Sequence, residues 1–413
     1  MLFTHIRQLL QVREANCTLV RGADMAHLPL IEHAFLRTEN GKISSFGPMA
    51  QCPTPAPDEE VVDCTGKILM PGWCDSHTHV VYAGNRSGEF VDRIKGHTYA
   101  EIAAKGGGIL NSAQKLNQTS DDELYAQAVP RVEELIRQGT VALEIKSGYG
   151  LTTDGELKML RVIRRLRDNY PLAIKATFLG AHAYPMAYKS QPEAYVDLII
   201  NEMMPRIAQE GLADYVDAFL ETGYFSTEAT LRIIEAARTY GWPAKIHVNQ
   251  FTASGGVAAC VAQNARSVDH LEVVTPDDII ALQKGQTLPV ALPGCSFFIQ
   301  IPYTPARQLL DAGLPLVLAS DYNPGTCPSG NMSFMVALAC IQMHMTPEEA
   351  INAATLNGAA AMDVADALGS ITVGKRAHLL LTQPLQSYAE IPYRFGSQLI
   401  EKVYLDGQLW CRP

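Results

Sequence analysis

Two histidines spaced two residues apart are the side chains of this chain best suited to chemistry. His77 and His79 follow the apolar run Ile68–Met70 and the turn residues Pro71 and Gly72. On a β-strand, side chains at positions i and i+2 leave the same face, so both imidazoles can point at one metal ion. A pair of exposed surface histidines is the alternative interpretation. The spacing therefore predicts a metal site only if matching ligands follow later in the chain.

The elements that would position these histidines form a repeating pattern. From residue 67 onward, short β-branched runs alternate with longer helical patterns,. Eight such units predict an α/β fold, a closed (β/α)8 barrel of the TIM type. The predicted strands are Ile68–Cys74, Val141–Lys146, Leu172–Leu179, Tyr215–Leu220, Ala244–Val248, Ser267–Leu271, Leu288–Leu292 and Pro315–Ser320.

Helix starts and chain ends complete this prediction. Ser120, Thr275 and Thr346 are each followed three residues later by a carboxylate, which is typical of a capped helix N-terminus,. Residues 1–63 and 370–413 instead contain short extended stretches and turns,. We expect these two ends to pair into one small β-sandwich domain, and residues 64–369 to form the barrel.

Potential ligands recur where the predicted strands end. Barrel enzymes carry their functional residues at the carboxyl ends of the strands. There we find His182 after strand three, His247 on strand five, His270 on strand six and Asp321 after strand eight. Three imidazoles and a carboxylate, with one position open for water, suit zinc or ferrous iron. Four protein ligands plus water imply a five-coordinate site or one long contact, or else His270 faces the water.

Composition limits the possible functions. The chain has 413 residues, of which 47% are hydrophobic and 18% charged, and a net charge of -10. This acidic balance argues against nucleic acid as a partner. The absence of a long apolar run and of a signal-like start predicts a cytoplasmic protein without a membrane segment. Nine cysteines without a Cys-x-x-Cys pair predict reduced thiols rather than a zinc knuckle or a redox pair,.

Several motifs in order resemble the amidohydrolase superfamily. The shared features are the segment 71–79, the strand-end histidines, Asp321 and the tail 369–377. A longer set is similar to the branch that opens the ring of 4-imidazolone-5-propanoate, giving N-formimidoyl-L-glutamate in histidine degradation. That set comprises residues 82–86 with Glu89 and Phe90, then 106–109, 144–151, 180–182, 247–250 and 321–326.

The resemblance implies roles for individual residues. It implies one zinc or iron ion held by His77, His79, His247 and Asp321. It also implies a small-molecule substrate and a homodimer. The implied catalytic residues are Asp321, His270, His182 and Gln250, and the implied substrate contacts are Arg86, Tyr149, His182, Gln250, Asn323, Gly325 and Thr326.

The chemistry of these side chains is consistent with a carboxylated substrate. Arg86 offers a planar fork for a propanoate tail, although a rim salt bridge with Glu89 is the alternative. Tyr149 and the loop 323–326 could supply further donors, including backbone N–H groups made accessible by Gly325. The glycines at 106–108 indicate a hinge or lid, since no Gly-x-Gly-x-x-Gly spacing follows a strand there,.

A hydrolytic mechanism follows as an expectation. An ion of this kind lowers the pKa of bound water toward ~7, and the resulting hydroxide would attack the ring carbonyl. We expect Asp321, with His270, to move the water proton to the departing nitrogen, while His182 or the metal steadies the oxyanion. Strand four, Tyr215–Leu220, has no lysine to bridge two metals, so we predict one ion per chain.

Two rival functions and two departures from the family pattern remain. A related deaminase or another cyclic amidase would keep the metal ligands, and a non-catalytic scaffold protein would not need them. Val248 and Asn249 stand where the family pattern has a small residue and an acid, which puts a carboxylate role there in doubt. His378 replaces an aspartate after Ala377, and we expect it to be structural.

Overall fold

The computed structural model describes residues 1–97, 101 and 107–410. Sixteen strands are numbered here in chain order. Strands β1–β5 are Leu2–Leu10, Leu30–Glu39, Lys42–Pro48, Val61–Asp63 and Lys67–Pro71; β6–β9 are Trp73–Asp75, Thr140–Lys146, Ala173–Ala181 and Tyr215–Leu220; β10–β13 are Lys245–Val248, Ser267–His270, Leu288–Ala291 and Val317–Leu318; β14–β16 are Leu379–Pro384, Ile400–Leu405 and Gln408–Leu409.

Strands β6 to β13 form one parallel sheet in the order of the chain, which confirms the predicted barrel. The two edge strands approach each other through a parallel bridge between Thr78 and Tyr322. The backbone N–H of Asp321 donates to the carbonyl of His77 at 3.0 Å, and that of His79 donates to Tyr322 at 2.8 Å. These bonds close the ring directly beside the predicted metal ligands. Every residue of β7, β9, β10 and β11 is buried, as expected for parallel strands covered on both faces,.

Helices connect the strands and surround the barrel. Ser120, Thr275 and Thr346 each accept a backbone hydrogen bond from the third helical residue, so the three predicted caps are present,. The described α-helices are Ser87–Ile94, Ile109–Gln118, Asp121–Arg137, Thr153–Asn169, Pro192–Leu198, Met204–Glu210, Thr227–Arg238, Gly256–Ala262, Pro276–Lys284, Pro293–Ile299, Ala306–Asp311, Met332–Met343, Pro347–Ala354, Leu356–Ala361 and Glu390–Tyr393. None of the helices in the described ranges combines the length and apolarity needed to cross a membrane.

The first predicted strand is two strands in two sheets. β5 pairs with β1 and β14 in the sheet built from the chain ends, whereas β6 pairs with β7 in the barrel. The chain changes sheets at Gly72, where a Cβ atom would collide with the side chain of Val141,. The run of residues 68–74 is apolar throughout, so its composition alone does not reveal this break.

The two ends of the chain do pair with each other. Their sheet has the order β16-β15-β14-β5-β1-β2-β3, with β4 beside β1. Its buried side includes Phe3, Ile6 and Leu9 from the first strand and Leu379 and Tyr404 from the last ones. β5 belongs to this sheet although it lies inside the range 64–369 expected for the barrel. The eight cysteines that the structure describes are free thiols, in agreement with the prediction.

Candidate metal centre and active site

The carboxyl ends of the barrel strands bring the four predicted metal ligands together. Nε2 of His77 lies 3.1 Å from Nε2 of His247 and 3.3 Å from Nε2 of His79. Oδ1 of Asp321 lies 3.6 Å from Nε2 of both His77 and His79. Ligand atoms that sit ~2.0–2.1 Å from one tetrahedral ion are about 3.3 Å apart. The observed spacing therefore fits a single ion.

Hydrogen bonds on the opposite ring nitrogens fix two of these imidazoles. Nδ1 of His77 lies 2.6 Å from Oδ2 of Asp269, and Nδ1 of His247 lies 2.8 Å from Oδ2 of Asp217. Each Nδ1 therefore carries the proton, and each Nε2 presents a lone pair to the centre. Nδ1 of His79 has no hydrogen-bond partner among the described residues.

Protonation states also fit a metal centre. Burial, and then nearby positive charge, holds the pKa of His77, His79 and His247 well below the usual histidine value,. Neutral imidazoles are the form that binds metal. Lone pairs facing each other at about 3 Å repel one another unless a cation lies between them, so the donor set is suited to an ion,.

A buried lysine connects the carboxylates that orient the histidines. Nζ of Lys146 lies 2.9 Å from Asp217, 2.6 Å from Glu144 and 3.8 Å from Asp269. These groups come from β7, β9 and β11, alternate strands of the barrel, as expected for one interior layer,. Burial lowers the pKa of Lys146, but the facing carboxylates outweigh it and raise that pKa above its ordinary value. Lys146 and the buried Lys245, whose Nζ lies 3.1 Å from Glu144, thus share the compensation of these carboxylates.

The same contacts bear on the number of metal ions. The fourth barrel strand, β9, contains no lysine. Lys146, although close to the centre, is an ammonium held by carboxylates and so is not suited to carry a bridging carboxylate of its own. His270, Glu272 and Cys295 form a second cluster with ligand atoms within 4.8 Å. Its groups are hydrogen-bonded to one another or to Gln250.

Asp321 combines an unusual backbone with a shifted pKa. Its φ of 57° lies in the left-handed region, which few non-glycine residues adopt,. Burial raises the pKa of its carboxyl group from 3.8 to about 6,. A cation held by the three imidazoles would favour the ionised form of this carboxylate.

A cavity of about 420 Å³ opens above these ligands. All seven predicted substrate contacts line it, as do His270 and Asp321. The remaining lining residues are His79, Glu89, Arg93, Ile109, Phe219, Tyr224, His247, Phe251, Ile299 and Ile301. The site residues expected from the sequence therefore meet in one place.

Hydrogen bonding determines which ring nitrogen of His182 carries the proton. Its Nδ1 lies 3.0 Å from the carbonyl oxygen of Gly148, which can only accept, so Nδ1 carries the proton,. Burial lowers the pKa of His182 to about 4, so the ring is neutral. Its Nε2 is then an acceptor. In this tautomer Nε2 can accept a hydrogen bond from a substrate N–H. It cannot donate to an oxyanion, which is the role expected from the sequence.

Glu156 holds the loop that carries Tyr149 through hydrogen bonds to the loop backbone. The carboxylate of this buried residue accepts from the backbone N–H groups of Gly148, Gly150 and Leu151 at 2.8 to 2.9 Å. The ring of Tyr149 lies 5.4 Å from that of His182, between centroids. Glu156 therefore holds the backbone on both sides of Tyr149, and it holds Gly148, whose carbonyl contacts His182.

Arg86 takes part in the salt bridge that was its alternative interpretation. Its Nε and Nη2 donate to Oε2 of Glu89 at 2.9 and 2.5 Å. The other carboxylate oxygen of Glu89 accepts from the backbone N–H of Gly108 at 3.0 Å. Gly108 has a φ of 83° and precedes a helix, while Gly106 of the expected hinge lies outside the described residues. Arg86 therefore forms the ion pair with Glu89 and also lines the cavity.

Asn323 organises the loop after the last barrel strand. Its Oδ1 accepts from the N–H groups of Gly325 and Thr326, both at 2.7 Å. Its Nδ2 donates to the carbonyl of Asp321 and to Oγ1 of Thr326, also at 2.7 Å. The amide thus fills its hydrogen-bonding capacity within the loop. The backbone donors that the sequence suggested for a substrate carboxylate already have an acceptor.

His270 faces the centre on a strained backbone. Its φ is 87°, and its Nδ1 lies 3.2 Å from Oε1 of Glu272. Burial lowers the pKa of His270, but the neighbouring Glu272 outweighs this and the pKa is raised. Glu272 thus orients His270, as Asp269 orients His77.

The two departures from the family pattern have structural contacts. Asn249 donates to the carbonyl of Val273 at 3.0 Å and to Asp278 at 3.1 Å. His378 is buried and its Nδ1 accepts from the backbone N–H of Asp406 at 2.9 Å. Both side chains therefore hold loops together.

Sequence reasoning missed the groups that orient the ligands. Asp217, Asp269, Lys146 and Glu272 were not identified, and neither was Arg93 in the cavity wall. A signal existed: charged residues in otherwise apolar parallel strands are costly to bury unless they serve a polar partner.

Comparisons with known proteins agree with this geometry. The sequence profile of the amidohydrolase family matches residues 68–410. The chain is 60% identical to an imidazolonepropionase of Flavobacterium psychrophilum over 99% of both chains, and 58% identical to one of Flavobacterium johnsoniae with the same coverage. The solved structure of 5-methylcytosine deaminase from Klebsiella pneumoniae has a TM-score of 0.72 at 15% identity, covering 98% of this chain and 97% of that one. This structural likeness concerns the fold.

Proposed function

Because the chain belongs to the amidohydrolase family and, within it, to the imidazolonepropionases, we propose how its own residues hydrolyse the ring of 4-imidazolone-5-propanoate. The chain is a cyclic amidohydrolase that opens the ring of 4-imidazolone-5-propanoate to N-formimidoyl-L-glutamate. The observation that supports the mechanism most strongly is the convergence of three neutral Nε2 atoms and one carboxylate oxygen beneath the cavity.

We propose that His77, His79, His247 and Asp321 hold one ion per chain, either zinc or ferrous iron. Such an ion polarises a carbonyl group and lowers the pKa of water toward ~7. Asp217 and Asp269 keep two of the imidazoles in the tautomer that presents Nε2,. Histidine and aspartate ligands suit both metals, so the choice between them rests on elemental analysis.

Proton movement is assigned to Asp321 and His270. The carboxylate of Asp321, whose Oδ1 lies 3.6 Å from Nε2 of both His77 and His79, takes a proton from the attacking water,. The water oxygen bonds to the ring carbonyl carbon, the bond from that carbon to the ring nitrogen breaks, and the proton passes to the nitrogen. His270, held by Glu272, faces Asp321 and assists this transfer.

The remaining cavity residues bind the substrate. We assign to Nε2 of His182 the acceptance of a ring N–H, which its neutral tautomer favours. Arg86 faces the propanoate carboxylate, while Tyr149, Gln250, Asn323, Gly325 and Thr326 complete the walls. A homodimeric state and a cytoplasmic location remain predictions of the sequence, and sedimentation analysis tests the former.

The reaction itself is directly testable. Metal-replete protein incubated with 4-imidazolone-5-propanoate should remove the absorbance of the ring. It should release one N-formimidoyl-L-glutamate for each substrate molecule consumed. A related deaminase would instead release ammonia from an aminated heterocycle. Ammonia release from such a compound, with the imidazolone left intact, would contradict the proposal.

A further inference from the structure

A buried carboxylate lies behind the part of the cavity wall that Tyr149 belongs to. Glu156 is fully buried and is not among the residues that line the cavity. Its Oε1 accepts from the backbone N–H groups of Gly150 and Leu151, both at 2.8 Å. Its Oε2 accepts from the N–H of Gly148 at 2.9 Å. One carboxylate therefore binds the backbone on both sides of Tyr149 with both of its oxygens.

The backbone of this loop adopts conformations that need such support. Gly148 has a φ of 106° and Leu151 a φ of 50°. A positive φ is costly for a residue that has a side chain, such as Leu151. Gly150 lies against the start of the next helix, since a Cβ atom there would be 2.3 Å from the carbonyl carbon of Gly155. Strained backbone persists only where its surroundings hold it, and the hydrogen bonds to Glu156 do so here.

Two cavity residues depend on the conformation of this loop. Tyr149 lies within it, and its ring centroid is 5.4 Å from that of His182. The carbonyl oxygen of Gly148 accepts from Nδ1 of His182 at 3.0 Å and so fixes the tautomer of that ring,. A Cβ atom at Gly148 would be 2.9 Å from the same Nδ1, so the loop backbone packs directly against the imidazole. A shift of the loop would therefore displace both side chains.

The metal ligands are oriented by other carboxylates. Asp269 contacts His77 and Asp217 contacts His247, whereas the described hydrogen bonds of the Glu156 carboxylate go to the loop backbone. A change at Glu156 should therefore alter the cavity wall while the ion stays bound.

Building on the proposed function, we propose that Glu156 is a positioning residue that determines substrate affinity through Tyr149 and His182. The competing role is structural: Glu156 would stabilise the start of its own helix and nothing more. The two roles differ in what they change. A positioning residue changes the binding of the substrate ring, whereas a purely structural residue changes only the free energy of unfolding.

The experiment measures binding and turnover separately. Imidazole-4-propanoate, a substrate analogue without the reactive carbonyl, is titrated by calorimetry into metal-replete wild type and Glu156→Gln. The variant places an amide NH2 opposite a backbone N–H, so the loop has to shift. We expect the dissociation constant and KM to rise between about 10-fold and 100-fold, the worth of a hydrogen bond to a charged group. The value of kcat should change by less than about threefold, because ground state and transition state lose the same contacts.

Two further variants complete the comparison. Glu156→Asp keeps the charge on a shorter side chain, so its affinity should lie between those of the wild type and Glu156→Gln, and it carries the test if Glu156→Gln does not fold. Glu349→Gln is the matched control. Glu349 is also buried near the start of a helix and accepts from a backbone N–H, that of Thr346 at 2.8 Å, but it is not among the cavity-lining residues. This control should lower the unfolding temperature and leave the dissociation constant at the wild-type value.

The outcomes separate this inference from the proposed function. Unchanged affinity in both Glu156 variants, or a loss no larger than that of Glu349→Gln, would overturn the inference and leave the proposed function intact. A fall in kcat at constant KM would also overturn it. A wild type that binds the analogue but turns over no imidazolone would overturn the proposed function, while the calorimetric comparison would still decide whether Glu156 controls ligand affinity.

Discussion

The metal ligands and the loop-borne residues of the cavity are built on different kinds of support. Among the ligands, His77 and His247 follow or lie on barrel strands and are oriented by Asp269 and Asp217, which in turn contact Lys146. Arg86, Arg93 and the loop after Asp321 instead lie outside the strands. Strand register therefore fixes the positions of the metal ligands, whereas the loop-borne residues depend on which donors the loops already use.

The largest effect should come from removing one metal ligand. His77→Asn deletes an Nε2 from the set of three and leaves Asp269 without its imidazole partner. We expect bound metal to fall from one ion per chain to near zero and turnover to become undetectable. Elemental analysis and the ring-opening assay provide the two readouts.

His378→Asn is the control for the loss of a buried histidine. His378 contacts the backbone of Asp406 and is absent from the cavity wall. This variant should keep its metal and its activity. A His77→Asn protein that retains one tightly bound ion and normal turnover would place the catalytic ion elsewhere.

A second prediction concerns the charge network beneath the ligands. Lys146→Met leaves the buried Asp217 without the ammonium that lies 2.9 Å away, while Glu144 keeps Lys245 at 3.1 Å. Breaking a buried ion pair from one side costs about 3–5 kcal/mol of folding stability. Because the aspartates orient the imidazoles, metal affinity should also fall by about 10-fold to 100-fold. Competition with a chelator measures the second effect.

Lys375→Met separates the two effects of that substitution. Lys375 is also buried, and it donates to Leu368 and Ser370 far along the chain from the metal ligands. Its loss should lower stability while metal affinity stays at the wild-type value. If both lysine variants weaken metal binding equally, the network has no specific role in positioning the ligands.

A smaller effect is expected from changing Glu272, which orients the proposed proton carrier His270 rather than a metal ligand. Glu272→Gln keeps the size of the side chain but removes the charge facing Nδ1 of His270. We expect kcat to fall by about 10-fold, a part of the 10²–10⁴-fold that general acid–base catalysis provides. Metal content and KM should stay unchanged. A drop in metal content instead would identify His270 as a ligand.

The sequence predicted the metal ligands more completely than the contacts of the loop-borne cavity residues. Parallel strands of a barrel end on one face, so His247, His270 and Asp321 could be placed together without coordinates. The split of the first strand at Gly72 was missed because both halves are apolar, and only the side chain of Val141 explains the break.

The loop-borne residues depend on contacts that spacing in the sequence does not reveal. Arg86 carries the right chemistry for a carboxylate, but its pairing with Glu89 requires the fold of the intervening turn. Asn323 resembles a donor to substrate, yet its amide is used by the neighbouring N–H groups. Arg93 became visible only when the helix 87–94 placed it beside Gly325.

Anomalous diffraction would show where the ion binds and how many ions each chain holds. Crystals of metal-replete protein should give a single anomalous peak per chain, at the absorption edge of zinc or of iron. We expect this peak at about 2.0–2.2 Å from the Nε2 atoms of His77, His79 and His247, with Asp321 beside it. An absent peak at that position, or a second one between His270, Glu272 and Cys295, would contradict it.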